Sequence, residues 1–360
     1  MKKTLALIPL LAAWHGAFAV TISDPGQGVF ALSSGATAAA ELSGLTYAGG
    51  TSYYAIGDNG ATSIWTADIA VNAATGQISS ASVTGSISAG LGTDSEGIAF
   101  RSGTSSVFVS DEVDSTIKEF SVTTGANLSS VAVPAIYSAS NLQGNFGLES
   151  LSLGGGNLWT ANEEALTNDG SLSSTSAGSW VRLQRFDGTM GASGQWAYRT
   201  DPISAVNSSR TVECSGVSDL LALPTGELLV LERELAYDAA SPFRSRLYEV
   251  DFTGASSNVD GVANLSLGGF TAVSKRWLWE GNFLTENFEG ITLGPTLADG
   301  SQSILLISDN GSGANGQTQS LYALTGVVPE SDTMILFLIG CAVVVWAMKK
   351  RRGRGLRDKG

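Results

Sequence analysis

The sequence predicts an all-β fold closed into a ring. Three observations carry this expectation. A short motif recurs five times at near-regular spacing, and a second apolar stretch with a polar end follows each copy. The composition, with 44 Gly among 360 residues and abundant Ser and Thr, favours turns and short strands over long helices. With 43% apolar and 8% aromatic residues, the chain is long enough for a packed core in one large domain or two ordinary ones. Outside the two ends, no long stretch sustains a 3.6-residue apolar period.

The motif is plainest in SEGIAF (95–100) and FEGITL (288–293). Aligned on its first acid, the copies read Ser43-Gly44-Leu45-Thr46-Tyr47, Glu96-Gly97-Ile98-Ala99-Phe100, Glu149-Ser150-Leu151-Ser152-Leu153, Asp219-Leu220-Leu221-Ala222-Leu223 and Glu289-Gly290-Ile291-Thr292-Leu293. The spacings are 53, 53, 70 and 70 residues. The third and fifth residues of each copy are large and apolar with a small or polar residue between, the alternation of a strand. A second strand follows each: YYAIGDN (53–59), VFVSDE (107–112), LWTANEE (158–164), LLVLERE (228–234) and ILLISDN (304–310). A third comes next in most units: IKEFSV, RLQRFDG, RLYEVDFTG and SLYALTG. Repeated antiparallel units of this size predict a β-propeller of five or six blades, the sixth being one that the two 70-residue units have room to hide. The last unit is short, and Val29-Phe30-Ala31-Leu32 near the start is strand-like. The N-terminal segment is therefore expected to complete the last blade and close the ring, which removes open sheet edges. A pair of β-sandwiches would not explain five copies in register.

The two ends are not part of this fold. Lys2 and Lys3 precede the apolar run Leu5–Ala13, and Ala17-Phe18-Ala19 is an A-x-A site, so residues 1–19 read as a secretory signal peptide. At the other end, Met334–Met348 is an uncharged apolar run of fifteen residues, followed at once by Lys349-Lys350-Arg351-Arg352. The run is short for a span of ~20 residues, but an abrupt basic cluster marks a cytoplasmic flank. The expected organisation is a signal peptide at 1–19, the propeller at 20–326 outside the cytoplasm, a sorting motif and transmembrane helix at 327–348, and a basic cytoplasmic tail at 349–360. With Val328-Pro329-Glu330 before the span, this terminus resembles the PEP-CTERM family of bacterial sorting signals, departing from it at Ser331, where that family usually has a second Pro. The resemblance implies recognition by a dedicated sorting protease. The propeller is expected to be a monomer.

Residues 20–326 hold 11 Lys and Arg against 30 Asp and Glu, a net charge of −19. Such a domain attracts cations and argues against a nucleic-acid partner. Cys341 lies in the apolar run, so Cys214 has no partner in the domain and no disulfide holds the fold. The only histidine, His15, leaves with the signal peptide. A Ser-His-Asp triad and a three-His zinc site are both excluded.

Several stretches together are similar to the phytase-like propeller family, described as having esterase-like activity of phytase: LSGLTY, SEGIAF, GLESLSL with ANEE, GELLVLERE followed by RLYEVDFTG, and NFEGITLGP followed by ILLISDN. They run from about 42 to 324, nearly the whole exported part. The resemblance implies a propeller and hydrolysis of an ester or phosphoester.

The repeat acids are the first candidates for chemistry. Glu96, Glu149, Asp219 and Glu289 share one repeat position at the start of a first strand, which in a propeller lines the central channel. Four converging carboxylates repel one another unless a cation sits among them, and Ca²⁺, with six to eight hard oxygen ligands, suits a site without His or usable Cys. These four are the expected metal ligands, with Glu289 and Glu149 also the catalytic carboxylates that act on metal-activated water. A second polar set ends the second strands: Asp58-Asn59, Asp111-Glu112, Asn162-Glu163, Glu232 and Asp309-Asn310. For both sets the structural alternative is turn hydrogen bonding and shared repeat architecture. Nine of the eleven basic residues of the domain fall within 182–276. Among them Arg233 is the candidate substrate anchor, against a local ion pair with Glu232 or Glu234. Arg182 and Arg185, in a strand, are expected to be solvated or paired with nearby acids. Trp159, Trp180 and Trp277-Leu278-Trp279 read either as sugar-stacking rings at a mouth or as core between blades.

The functional expectation is thus an exported, membrane-anchored, Ca²⁺-dependent ester or phosphoester hydrolase, with a weakly charged ester favoured over highly anionic phytate on charge grounds. The alternatives are a non-catalytic propeller that binds a cell-surface ligand or matrix polymer, and a lactonase-like propeller.

Overall fold

The computed structural model describes residues 20–327 apart from 59, 61, 205–213, 237–241 and 253–255. The expected signal peptide lies outside the described residues, as does the expected sorting and membrane segment except Val327, which ends the last strand. Among the described residues no helix is long and apolar enough to cross a membrane.

Two short strands open the chain, β1 (Thr21–Ser23) and β2 (Val29–Ala31). Blade 1 comprises β3 (Leu42–Gly49), β4 (Ser52–Gly57), β5 (Ser63–Val71) and β6 (Ile78–Ser88). Blade 2 comprises β7 (Ser95–Arg101), β8 (Ser106–Asp111), β9 (Thr116–Ser121) and β10 (Asn127–Val131). Blade 3 comprises β11 (Ser152–Gly154), β12 (Asn157–Ala161), β13 (Trp180–Phe186) and β14 (Ala192–Arg199). Blade 4 comprises β15 (Cys214–Ala222), β16 (Leu228–Leu235), β17 (Phe243–Asp251) and β18 (Ser274–Phe283). Blade 5 comprises β19 (Asn287–Thr296), β20 (Gln302–Asp309) and β21 (Ser320–Val327), and its outer edge is supplied by the N-terminus: Ile22 pairs with Gly326 in β1–β21, and Phe30 with Leu321 in β2–β21.

The ring therefore has five blades, and the last is closed by the N-terminal segment as the sequence predicts. There is no sixth blade among the described residues. The extra length of the two long units goes into connections, at 162–179 between β12 and β13 and at 252–273 between β17 and β18. Arg182 holds the first of these loops. Its guanidinium is fully buried and donates from Nε and Nη2 to Asp169 at 2.6 and 2.7 Å and from Nη1 to Gln195 at 2.6 Å. Arg182 is thus paired and not solvated. Arg185, by contrast, lies over the rings of Trp159 and Trp196.

Apolar side chains pack between blades, because each sheet presents both faces to a neighbour. Five clusters result, one at each blade junction. Trp159 and Trp279 are buried in two of them, which fits the core reading of these rings, whereas Trp277 on the alternate face of β18 is 58% exposed. Around the axis the inner strands β3, β7, β11, β15 and β19 are stitched by side-chain hydroxyls. Thr46 Oγ1 accepts from Phe100 N, Thr292 Oγ1 from Tyr47 N and Ser152 Oγ from Ala222 N, at 3.0, 3.0 and 2.8 Å. The later halves of these five strands enclose an axial cavity of about 130 Å³. The acids gather at the opposite end.

Candidate metal and catalytic site

Three positions in each blade build the acidic mouth. The first lies two residues before the bulge of the inner strand: Glu41, Asp94, Gly147, Gly216 and Asn287. The second faces it at the exit of the second strand: Asp58, Glu112, Glu163, Arg233 and Asp309. The third is an extra residue that the inner strand inserts as a β-bulge: Ser43, Glu96, Glu149, Ser218 and Glu289. A bulge re-aims a side chain out of the regular alternation, here at the same point of every blade.

This register corrects the sequence alignment in blade 4. The bulge there falls between Val217 and Asp219, so Ser218 is the counterpart of Glu96, Glu149 and Glu289, and Asp219 is the counterpart of Gly44, Gly97, Ser150 and Gly290. Every residue of β15 is buried, so alternation offers no fix on its register. The glycines have a steric cause. A Cβ on Gly44 would lie 2.4 Å from the Glu96 carbonyl oxygen, one on Gly97 2.5 Å from Leu151 N, and one on Gly290 2.4 Å from the Ser43 carbonyl oxygen. The inner strands touch backbone to backbone at these points. Asp219 instead bridges its neighbours, with its carboxylate accepting from Leu151 N at 3.3 Å, from Leu220 N at 2.8 Å and from Ile291 N at 2.8 Å. Among the described residues it belongs to neither carboxylate cluster below.

Glu96, Glu112 and Glu149, all buried, bring one oxygen each within 4.8 Å of one another, and so do Asp58, Asp94 and Glu96. Glu96 is common to both clusters. Glu289 belongs to neither cluster and meets Arg233. The Arg233 Nη2 is 2.9 Å from Glu163, 3.1 Å from Glu289 and 3.9 Å from Glu149, and Asn287 Nδ2 donates to Glu289 at 2.7 Å. Arg233 is therefore an ion-pair residue, but with acids of blades 3 and 5. Its sequence neighbours point to the opposite face of β16. Glu232 is bound by Lys275 at 2.5 Å and Tyr198 at 2.6 Å, and Glu234 by Arg246 at 2.5 Å.

The second polar set divides accordingly. Asp58, Glu112, Glu163 and Asp309 belong to the mouth. Asp111 accepts from Asp94 N and Asp114 N at 3.0 and 2.7 Å, Asn162 accepts from Arg182 N at 3.0 Å and Asn310 from Glu41 N at 2.9 Å, all of them turn or strand-end roles. Asn59 and Arg210 lie outside the described residues. Asp94 was missed by sequence reasoning, although it stands two residues before Glu96.

Burial is the leading influence on these carboxyls. It and the neighbouring acids push Glu96 and Glu149 well above the usual carboxylate range. Burial raises Glu112 to about 8 against the lowering effect of the Gly147 N–H, Glu163 to about 7 against Arg233, and Glu289 to about 8 against Arg233. Burial also raises Asp219 to about 8 against three backbone donors. The buried atoms Ser95 Oγ, Asn287 Oδ1, Asp309 Oδ1 and Arg233 Nε lack a hydrogen-bond partner among the described residues. Converging hard oxygens, with no nitrogen or thiolate among the two clusters, suit Ca²⁺ and not Zn²⁺.

The sequence model of a family described as "Phytase-like: Esterase-like activity of phytase" matches residues 37–311. No curated protein sequence matches. Among solved structures, the chain is similar to the Kuenenia stuttgartiensis hydrazine synthase at 11% identity, covering 77% of this chain and 80% of that one with a TM-score of 0.37. The Myxococcus xanthus glutaminyl cyclase matches at 11% identity over 86% of this chain and 97% of its own, also with a TM-score of 0.37. The tail fiber of Staphylococcus aureus phage P68 matches at 10% identity over 82% and 52%, with a TM-score of 0.39.

Proposed function

The chain belongs to the phytase-like family, and on that premise we propose that it is a Ca²⁺-dependent hydrolase of a weakly charged ester. The observation that carries the reading is the approach of Glu96, Glu112 and Glu149 to within 4.8 Å at a buried channel mouth. Those three carboxylates would hold the ion, with Asp58 and Asp94 forming the second group around Glu96. Bound there, the ion supplies a Lewis acid for the ester oxygen and acidifies water. Glu289 is placed by Asn287 and Arg233, and a carboxyl raised to about 8 can take up and return a proton near neutral pH. Glu149 serves the ion, and Asp219 is a structural bridge. Because the Arg233 Nη2 is already engaged by carboxylates, the mouth offers little to a polyanionic phosphoester, in line with the charge of the domain. Residues 1–19 and 327–360 are proposed to export the propeller and to anchor it, until a sorting protease acts, with the ring outside the cytoplasm. The lysine and arginine cluster after the apolar run supports this.

The test is turnover of aryl acetates and aryl phosphates by the purified protein, with calcium and with chelator. Calcium-dependent ester hydrolysis is expected, with Glu289→Gln lowering kcat by roughly 10²-fold and Glu96→Gln weakening calcium activation. No turnover with calcium on either substrate class would overturn the proposal and favour a binding propeller.

A further inference from the structure

We infer that Arg233 is a tethered cation that fills one of the mouth's two cation positions and thereby sets how many divalent ions the mouth can take. The register places Arg233 where the other four blades carry Asp58, Glu112, Glu163 and Asp309, so blade 4 has a guanidinium in an acid's position. In the same blade Ser218 replaces the bulge glutamate. One change removes a ligand oxygen, and the other supplies a positive charge. The guanidinium sits against Glu163, Glu289 and Glu149 at 2.9, 3.1 and 3.9 Å, a spread of oxygens around one nitrogen such as a bound cation would have. Its Nε makes no hydrogen bond among the described residues, so it is held by charge more than by a full set of fitted donors. The cluster of Glu96, Glu112 and Glu149 shares only Glu149 with these three acids, and that of Asp58, Asp94 and Glu96 shares none.

Arg233 thus divides the mouth. Glu163 and Glu289 are neutralised by the chain itself, Glu149 is shared, and Glu96 and Glu112 are left for a soluble ion. This makes Arg233 a positioning residue: it keeps Glu289 and Glu163 out of metal coordination and fixes any ion off the axis. The division rests on the metal reading above for the wild-type ion, but the replacement of guanidinium by a divalent ion is separable from it.

The experiment uses the full chain in mild detergent. Bound calcium is measured by atomic emission after dialysis, and Tm by scanning calorimetry with calcium and with chelator. Arg233→Gln is expected to bind one more calcium per chain than wild type, to melt several degrees lower in chelator, and to regain that loss in calcium. Arg233→Lys, which keeps the charge, should behave as wild type. The double variant Arg233→Gln with Glu289→Gln should neither gain the ion nor lose stability to the same degree. Equal calcium content and equal calcium dependence of Tm in Arg233→Gln and wild type would overturn the inference. So would an Arg233→Gln protein that calcium cannot fold. Calcium bound by Arg233→Gln but not by wild type would uphold the inference and refute the wild-type metal site, and the reverse pattern would do the opposite.

Discussion

Replacing Asp219 by alanine separates a structural bridge from a metal ligand. The carboxylate accepts from Ile291 N at 2.8 Å and Leu151 N at 3.3 Å, so one side chain ties β15 to the inner strands of both neighbouring blades. Each buried N–H left without a partner costs ~1–3 kcal/mol, and the three that Asp219 accepts from, Leu220 N included, ~3–9 kcal/mol. Removing a desolvated carboxylate returns part of this, which leaves a net loss of about 2–4 kcal/mol. For a domain of this size that lowers Tm by roughly 2 °C per kcal/mol, or ~4–8 °C. The assay is calorimetry in chelator and in calcium, with calcium content measured alongside. The bridge predicts the same Tm loss in both buffers and wild-type calcium content. A variant stable in chelator that has lost only its calcium-dependent stabilisation would refute the bridge and restore Asp219 as a ligand.

The clustered carboxyls also give the metal-free protein a definite pH dependence. Glu112, Glu163 and Glu289 have values raised by burial to about 8, 7 and 8. An acid raised in the folded state contributes stability that is full below its unfolded value, near 4.3, and is lost as pH rises through the folded value. In chelator Tm should therefore fall between about pH 5 and pH 9, while calcium should flatten or reverse that slope; a Tm that rises over this range in chelator would contradict the burial argument. Arg182→Met leaves Asp169 buried without its charge partner and should lower the urea unfolding free energy by about 3–5 kcal/mol without altering calcium content, and an unchanged midpoint would contradict the role given to the pair.

Several features were legible because they are local and repeated. The strand alternation of Ile98 and Phe100, or of Ile291 and Leu293, needs no partner to be recognised, and five such copies imply a closed ring. The pairing of the N-terminal Val29–Ala31 with the last blade followed from the short final unit. The charge of the domain and its lack of histidine excluded whole classes of catalysis without any coordinates. The glycines of SEGIAF and FEGITL recur because an inner strand must touch its neighbour, but the sequence shows only that they recur and not what they touch.

Tertiary structure decided the rest, because the deciding contacts join residues far apart in the chain. In β15 burial on both faces erases the period that would fix register, so only pairing with β16 shows that Ser218, and not Asp219, stands at the bulge. Arg233 lies between Glu232 and Glu234 in the chain, yet the alternation of a strand sends it to the axis and them away. There it meets Glu163 and Glu289, 70 and 56 residues distant. The repeat alone implies a ring of short sheets with acids at one recurring position. Which of those acids converge on Glu96, which are held by a guanidinium and which serve the backbone depends on closing the ring, since closure alone brings the five blade mouths to one axis.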